Sequence, residues 1–292
     1  MGINKVALIT GISGQCGSYL AEQLIEKGYD VHGMVRRSAT MNRQNIEHLD
    51  IRKNLYYGDM TDFVSIVNII KKTNPDEIYN LAAQSHVAVS WETPNYTAQT
   101  TGFGVLNLLE AMRILGSKAK VYQASTSELF SGDPKEAPQN EETPLRPRSP
   151  YSIAKLYAHE ICRVYREAFG MFIARGIFFN QESERRGENF VTRKIAKGVA
   201  DIYKGKIKHI KLGNLEAKRD WGYAPEYTDA MYRMMQLDKP TDLVIATGET
   251  HTVKEFVIEA LKQIGIEDWE NYVKIDQRYV RPIETAQKQK KQ

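Results

Sequence analysis

Four side chains in this sequence have the types and spacing for proton and hydride chemistry on an alcohol. Tyr151 and Lys155 stand four residues apart, so on a helix they share one face. A phenol with a pKa of about 10 is a poor base at neutral pH. A cation beside it favours the phenolate. Thr126 and Glu128 arrive separately, in Ser125-Thr126-Ser127-Glu128, just past the run from Ala119 to Ala124. Thr126 offers a hydroxyl to a reacting alcohol. Glu128 offers more than ketone reduction or epimerisation needs. Its carboxyl can remove a proton from one carbon and then protonate a hydroxyl on the next, as loss of water requires. The plain alternative for Glu128 is a surface acid at a helix start.

Strand and helix patterns alternate around these residues. Val6-Ala7-Leu8-Ile9 is short and wholly apolar, as a buried parallel strand is. A helix is expected from Ser18 to Lys27, closed by Gly28. Further strands are expected at Tyr29 to Val35, Leu55 to Asp59, Glu77 to Ala82, Lys120 to Ala124 and Phe172 to Phe179. Helices are expected at Phe63 to Lys72, Val105 to Leu115 and Tyr151 to Phe169. This order predicts an α/β fold, a doubly wound parallel sheet of Rossmann type, with ligands beyond the carboxyl ends of its strands.

The character changes after Asn180. A polar loop is expected from Gln181 to Val191, then a basic helix from Thr192 to Lys204. Ile207 to Leu212 and Leu243 to Thr247 read as strands, Ala224 to Leu237 and Thr252 to Gly265 as helices. We expect a smaller, interleaved C-terminal lobe for substrate. Residues 1–180 with 218–249 form the nucleotide domain, and residues 181–217 with 250–292 the lobe. The low-complexity basic tail from Gln287 is expected to be disordered.

The first strand runs into Thr10-Gly11-Ile12-Ser13-Gly14-Gln15-Cys16-Gly17. Glycines there allow a tight turn and close approach of a pyrophosphate to a helix N-terminus. The second strand ends in Arg36-Arg37-Ser38, where an acid for a ribose 2′-hydroxyl is the NAD pattern. Guanidiniums suit a 2′-phosphate instead, so the expected cofactor is NADP. Asp59 suits an adenine amino group or, more plainly, a turn.

The remaining composition is ordinary. The 292 residues carry a net charge of +4, with 42% hydrophobic and 26% charged residues. This gives no reason to expect nucleic acid as a partner. Neither of the two cysteines, Cys16 and Cys162, belongs to a Cys-x-x-Cys pattern, so no metal site is expected. No run approaches the length of a membrane span and no signal peptide is read, so a cytoplasmic protein is expected.

At these residues the chain resembles the extended short-chain dehydrogenase/reductases and, among them, the GDP-mannose 4,6-dehydratase family. The stretches that carry the resemblance include TGISGQCGSYL, LAAQSHV, STSELF, RPRSPYSIAKLYAH, RRGENFVTRKI and LGNLEAKRDWG. Ser127-Glu128 stands where dTDP-glucose dehydratases tend to show Asp-Glu. The resemblance implies catalysis by Thr126, Glu128, Tyr151 and Lys155. It implies an NADP site of Gly11, Gly14, Gln15, Gly17, Arg36, Asp59, Leu81, Ala82 and Ala83, joined by Tyr151 and Lys155. Ser85, Asn180, Lys194, Arg219, Arg281 and Glu284 are implied at the GDP-sugar. The segment near Arg36 and Ser85 is implied to meet a second subunit, giving a homo-oligomer, a tetramer or dimer.

The implied reaction dehydrates GDP-mannose to GDP-4-keto-6-deoxymannose. Its rivals are a nucleotide-sugar epimerase, a 4-keto reductase or dual enzyme, and a non-catalytic NADP sensor. Two departures stand out. Family members usually carry Asp where Cys16 stands, and His-Glu-Ser-Pro where Gln181-Glu182-Ser183-Glu184 stands.

Overall fold

The computed structural model describes residues 4–39 and 43–279. They divide into two compact units, the described residues up to 181 with 223–245, and residues 182–222 with 246–279.

The first unit is built on one parallel sheet. Its strands are β1 (Val6–Thr10), β2 (Asp30–Val35), β3 (Leu55–Tyr57), β4 (Glu77–Asn80), β5 (Lys120–Ala124), β6 (Ile173–Phe178) and, from late in the chain, Asp242–Ile245. In space the order is β3-β2-β1-β4-β5-β6, with Asp242–Ile245 beside β6, every pair parallel. The order reverses between β1 and β4, which places the ligand crevice beyond the carboxyl ends of those strands.

The helices are α1 (Gln15–Glu26), α2 (Phe63–Thr73), α3 (Val89–Glu92), α4 (Pro94–Thr97), α5 (Gly104–Leu115) and α6 (Pro150–Phe169), with Ala224–Met235 returning from beyond the second unit. They cover both faces of the sheet because its strands alternate between two apolar faces. Ala7 and Ile9 of β1 point with Tyr79, Tyr122 and Phe178 toward Leu20 and Leu24 of α1 and Met231 of Ala224–Met235. Leu8 points the other way, with Ile78 and Val121, toward Ile66, Ile70, Leu108 and Met112. Each of the fully buried Leu, Ile, Val, Met and Phe side chains among them contributes roughly 1.5–3 kcal/mol.

The second unit has its own core of Ile195, Val199, Ile210, Leu212, Val253, Val257 and Leu261. Its elements follow from β7 (Asn180–Glu182), at the boundary: α7 (Val191–Tyr203), β8 (Ile210–Leu212), β9 (Lys218–Arg219) and β10 (Trp221–Tyr223). Then come α8, the Ala224–Met235 helix of the first unit, β11, its seventh strand Asp242–Ile245, and β12 (His251–Thr252), α9 (Val253–Lys262) and β13 (Val273–Ile275).

Two expectations need correction here. Residues 218–222 and 246–249 group with the second unit, because β9 pairs antiparallel with β12. The start of the expected 181–191 loop is the end of β7.

Candidate active site

Helix α6 starts where its sequence says it should. Ser149 is its N-cap, Pro150 takes the first helical position, and the Ser149 and Ser152 side chains bond each other's backbone amides reciprocally. This fixes Tyr151 in the first turn and Lys155 one turn on. Both are buried, at 7% and 4% exposure.

The Lys155 ammonium lies 6.0 Å from the centre of the Tyr151 ring. Its Nζ donates to the carbonyl of Ala124, the last residue of β5, at 2.7 Å. Burial pushes its pKa down to about 8. At neutral pH it therefore keeps its charge for the most part, and loses it above pH 8.

Past Ala124 the chain leaves the sheet. Thr126, nearly buried, accepts at Oγ1 from the Glu128 amide at 3.2 Å and so starts a single 3-10 turn over Ser127–Leu129. Glu128 is half-buried on that turn. The first unit thus carries Thr126 and Glu128 on the turn after β5, and Tyr151 and Lys155 on α6.

A chain of buried hydrogen bonds joins this group to the glycine turn. Thr10 Oγ1 donates to Asn80 Oδ1 at 2.6 Å, Asn80 Nδ2 to Gln123 Oε1 at 2.7 Å, and Gln123 Nε2 to the Ala124 carbonyl at 2.9 Å. That last carbonyl is the one Lys155 grips. Thr10 Oγ1 also accepts from the amides of Leu81 and Ala82, both at 3.1 Å. Thr10, Asn80 and Gln123 were not singled out from the sequence. The available signal was a polar residue at the carboxyl end of each of three buried strands.

The glycine turn has the shape of a backbone cradle. Gly11 is left-handed at φ +70°, and a Cβ there would meet the Ala82 backbone nitrogen at 3.0 Å. A Cβ on Gly17 would stand 2.4 Å from the Gly11 carbonyl oxygen. Gly14 is the N-cap of α1 and has no side chain to cap it. A helix N-terminus with no side-chain cap, entered through a glycine turn, fits a pyrophosphate. The residues present therefore fit a dinucleotide.

At the end of β2, exposed Arg36 hydrogen-bonds the Tyr96 hydroxyl of α4, with its guanidinium 5.9 Å from that ring's centre. Asp59 is engaged locally. Its Oδ1 accepts from the Thr61 amide at 2.9 Å and hydroxyl at 2.8 Å. Leu81, Ala82 and Ala83 follow β4 and are half-buried.

The two departures from the family pattern touch each other. Cys16 Sγ donates to Gln181 Oε1 at 2.7 Å, and Gln15 Nε2 to the Gln181 carbonyl at 2.8 Å. The start of α1 is thereby tied to the residue after Asn180.

The residues expected at the sugar nucleotide divide between the units. Exposed Ser85 follows the β4 end and Asn180 begins β7, both in the first unit. Lys194 on α7 and Arg219 on β9 belong to the second. The Lys194 ammonium lies 3.2 Å from the centre of the Tyr279 ring, and Arg219 Nη1 donates to the Lys218 carbonyl at 2.7 Å. Arg281 and Glu284 lie outside the described residues.

Comparison with known proteins gives the chain a lineage. In the solved structures, a UDP-glucose 4-epimerase of Thermus thermophilus, in complex with NAD, superposes with a TM-score of 0.81 at 23% identity, covering 97% of this chain and 93% of that one. At that identity the likeness speaks for the fold alone. Sequence relatives are much nearer. A GDP-mannose 4,6 dehydratase of Drosophila melanogaster is 51% identical over 307 residues, covering 96% of this chain and 78% of the relative. One from Vibrio cholerae is 53% identical over 272 residues, covering 90% and 73%. The family model for GDP-mannose 4,6 dehydratase matches residues 8–291. With that match running from the first strand through both units, the chain belongs to the GDP-mannose 4,6-dehydratase family.

Proposed function

We propose that this enzyme dehydrates GDP-mannose to GDP-4-keto-6-deoxymannose using NADP, with Thr126, Glu128, Tyr151 and Lys155 as its catalytic residues. The observation that carries the reading is a buried Tyr151–Lys155 pair on α6 beside a turn that bears a carboxyl group, in a chain half identical to dehydratases over nearly its whole length. The bound cofactor would supply a reversible hydride acceptor, taking hydride from carbon 4 of the mannose and returning it to carbon 6.

The chain's own groups move the protons. Tyr151, as phenolate beside the Lys155 cation, takes the proton of the carbon-4 hydroxyl, which Thr126 orients by hydrogen bonding. The carbon-4 ketone acidifies the hydrogen on carbon 5. Glu128 removes that hydrogen and then protonates the hydroxyl leaving carbon 6. Tyr151 returns a proton to carbon 5.

NADP would rest its pyrophosphate on the turn of Gly11, Gly14, Gln15 and Gly17, with Leu81, Ala82 and Ala83 along its path and Asp59 near its base. Arg36 would take the 2′-phosphate. The Tyr96 hydroxyl orients the guanidinium, which favours bidentate binding of an oxyanion. Arg36→Ala is expected to weaken NADP binding about 10- to 100-fold, the loss of one charge-assisted contact pair, and to leave NAD binding nearly unchanged. Equilibrium titration with both nucleotides checks this.

Ser85, Asn180, Lys194, Arg219, Arg281 and Glu284 would hold the GDP-sugar, their cations serving the diphosphate. Phe103, Ile153, Tyr157 and Val164 leave an exposed apolar face along α6, with the Phe103 and Tyr157 rings 5.1 Å apart. That face supports a homo-oligomer. Neither cysteine is disulfide-bonded, which accords with a cytoplasmic setting. Among the described residues no helix is long and apolar enough to cross a membrane.

The Lys155 pKa gives a pH prediction. Its cation is needed for the phenolate and is lost as pH rises through about 8. kcat/KM is expected to fall above that pH, approaching tenfold per unit, in a profile measured with saturating NADP. A profile flat to pH 10 would contradict the role given to Lys155. The function itself is tested by incubating the protein and NADP with a panel of nucleotide sugars and identifying products by mass and NMR. A product lighter by one water, from GDP-mannose alone, is expected.

A further inference from the structure

The face of α6 that carries Tyr151 and Lys155 also holds a buried histidine. His159 follows Lys155 by one turn and is 4% exposed. Its Nδ1 lies 2.6 Å from Ser125 Oγ. Burial first, and then the Arg175 guanidinium, pushes its pKa down to about 4, so the ring is neutral at physiological pH.

Its backbone is held as firmly. The His159 carbonyl accepts from Arg175 Nη1 at 2.7 Å. Arg175 is itself fixed to Asp242 through Nε at 2.9 Å and Nη2 at 2.5 Å. The imidazole thus presents one ring nitrogen to one hydroxyl from a fixed base.

That hydroxyl belongs to the residue through which the chain leaves the sheet. The Ser125 amide donates to the Gly176 carbonyl of β6 at 2.9 Å. The preceding carbonyl, Ala124, is gripped by Lys155. The following residue is Thr126, which turns the chain toward Glu128. Ser125 is therefore held on one side by β6 and on the other by α6, directly before the two reacting groups of the turn.

We propose that His159 is a positioning residue for the reaction. Through Ser125 it sets the direction in which the chain leaves β5, and with it the placement of the Thr126 hydroxyl and the Glu128 carboxyl against Tyr151. It touches no reacting atom. The proposal rests on the reading of Thr126, Glu128 and Tyr151 as the reacting groups. A displacement of about 1 Å in such a group is enough to cost on the order of 100-fold in rate.

The test uses the full chain with NADP and four variants: His159→Leu, His159→Asn, Ser125→Ala and the Ser125→Ala/His159→Leu double. His159→Leu and Ser125→Ala are expected to lower kcat about 10- to 100-fold while KM for GDP-mannose and NADP affinity stay within about twofold. The double variant is expected to be no slower than the slower single, because both remove one contact. Asn places an amide atom where Nδ1 stands, so His159→Asn is expected to recover most of the rate.

Amide hydrogen exchange of the segment Ser125–Leu129 is expected to quicken in His159→Leu and Ser125→Ala and not in His159→Asn. A kcat within twofold of the parent in either single variant, multiplied effects in the double, or unchanged exchange would overturn the proposal. If His159→Leu does not fold, Ser125→Ala and His159→Asn decide by the same readings. A parent chain that converts no GDP-mannose would instead overturn the reading of the site, and exchange alone then judges the role of His159.

Discussion

Glu128→Gln is expected to lower conversion of GDP-mannose about 100- to 10,000-fold, the range for a positioned general acid–base group. Glutamine keeps the size and shape of the side chain and one acceptor oxygen. It can neither accept the carbon-5 proton nor deliver one to the departing hydroxyl. The turn that carries residue 128 is set by the Thr126 hydroxyl and the residue 128 amide, which the substitution leaves intact. The loss should therefore fall on elimination alone. Single-turnover absorbance should still register reduction of the bound cofactor on mixing with GDP-mannose, with no dehydrated sugar following. A variant that dehydrates at the parent rate would remove Glu128 from the mechanism.

Tyr151→Phe is expected to cost a similar factor, about 100- to 10,000-fold, but at an earlier step. The ring is buried in the first turn of α6, and phenylalanine fills the same space, so the fold should persist. What goes is the oxygen that takes the proton from the carbon-4 hydroxyl. Cofactor reduction on mixing with substrate should then vanish along with product. Together the two variants divide the reaction in time, since only the Glu128 variant stops after oxidation at carbon 4. If the tyrosine variant still reduced the cofactor at the parent rate, another group would have to be the base.

The sheet was legible because its strands are short, apolar and spaced by amphipathic helices. Val6–Thr10 and Lys120–Ala124 can hardly be anything else between such neighbours. The Tyr151–Lys155 pair was legible because Ser149 and Pro150 announce the helix that aligns it.

Other features depend on partners far away in sequence. The segment before α5 contains α3, α4 and a turn of π-helix over Ala98–Phe103. None of these was expected. Gly102 in the wide turn lets it approach α6, where an added Cβ would lie 3.3 Å from the Ala154 carbonyl oxygen, a fit no local pattern encodes. The boundary at residue 218 was missed because a two-residue strand has no periodicity, and only its pairing with His251–Thr252 assigns it.

Within the site, residue types were readable and their ties were not. Arg36 reads as a phosphate ligand from its place after β2, while its contact with Tyr96 joins residues 60 apart. Thr10, Asn80 and Gln123 look like interruptions of apolar strands. Folded, they join the glycine turn to Lys155 through the Ala124 carbonyl. Cys16 and Gln181 stand as separate departures in the sequence, yet they are hydrogen-bonded to each other.

One chain would thus carry out both an oxidation and an elimination on a single sugar. The direct measurement is to supply the protein, with NADP, with GDP-mannose labelled with deuterium at carbon 4, and to read the product by mass and NMR. The expected product is a 4-keto-6-deoxy sugar lighter by one water, with the deuterium now at carbon 6. A product of unchanged mass, or a dehydrated product that has lost the label to solvent, would contradict it.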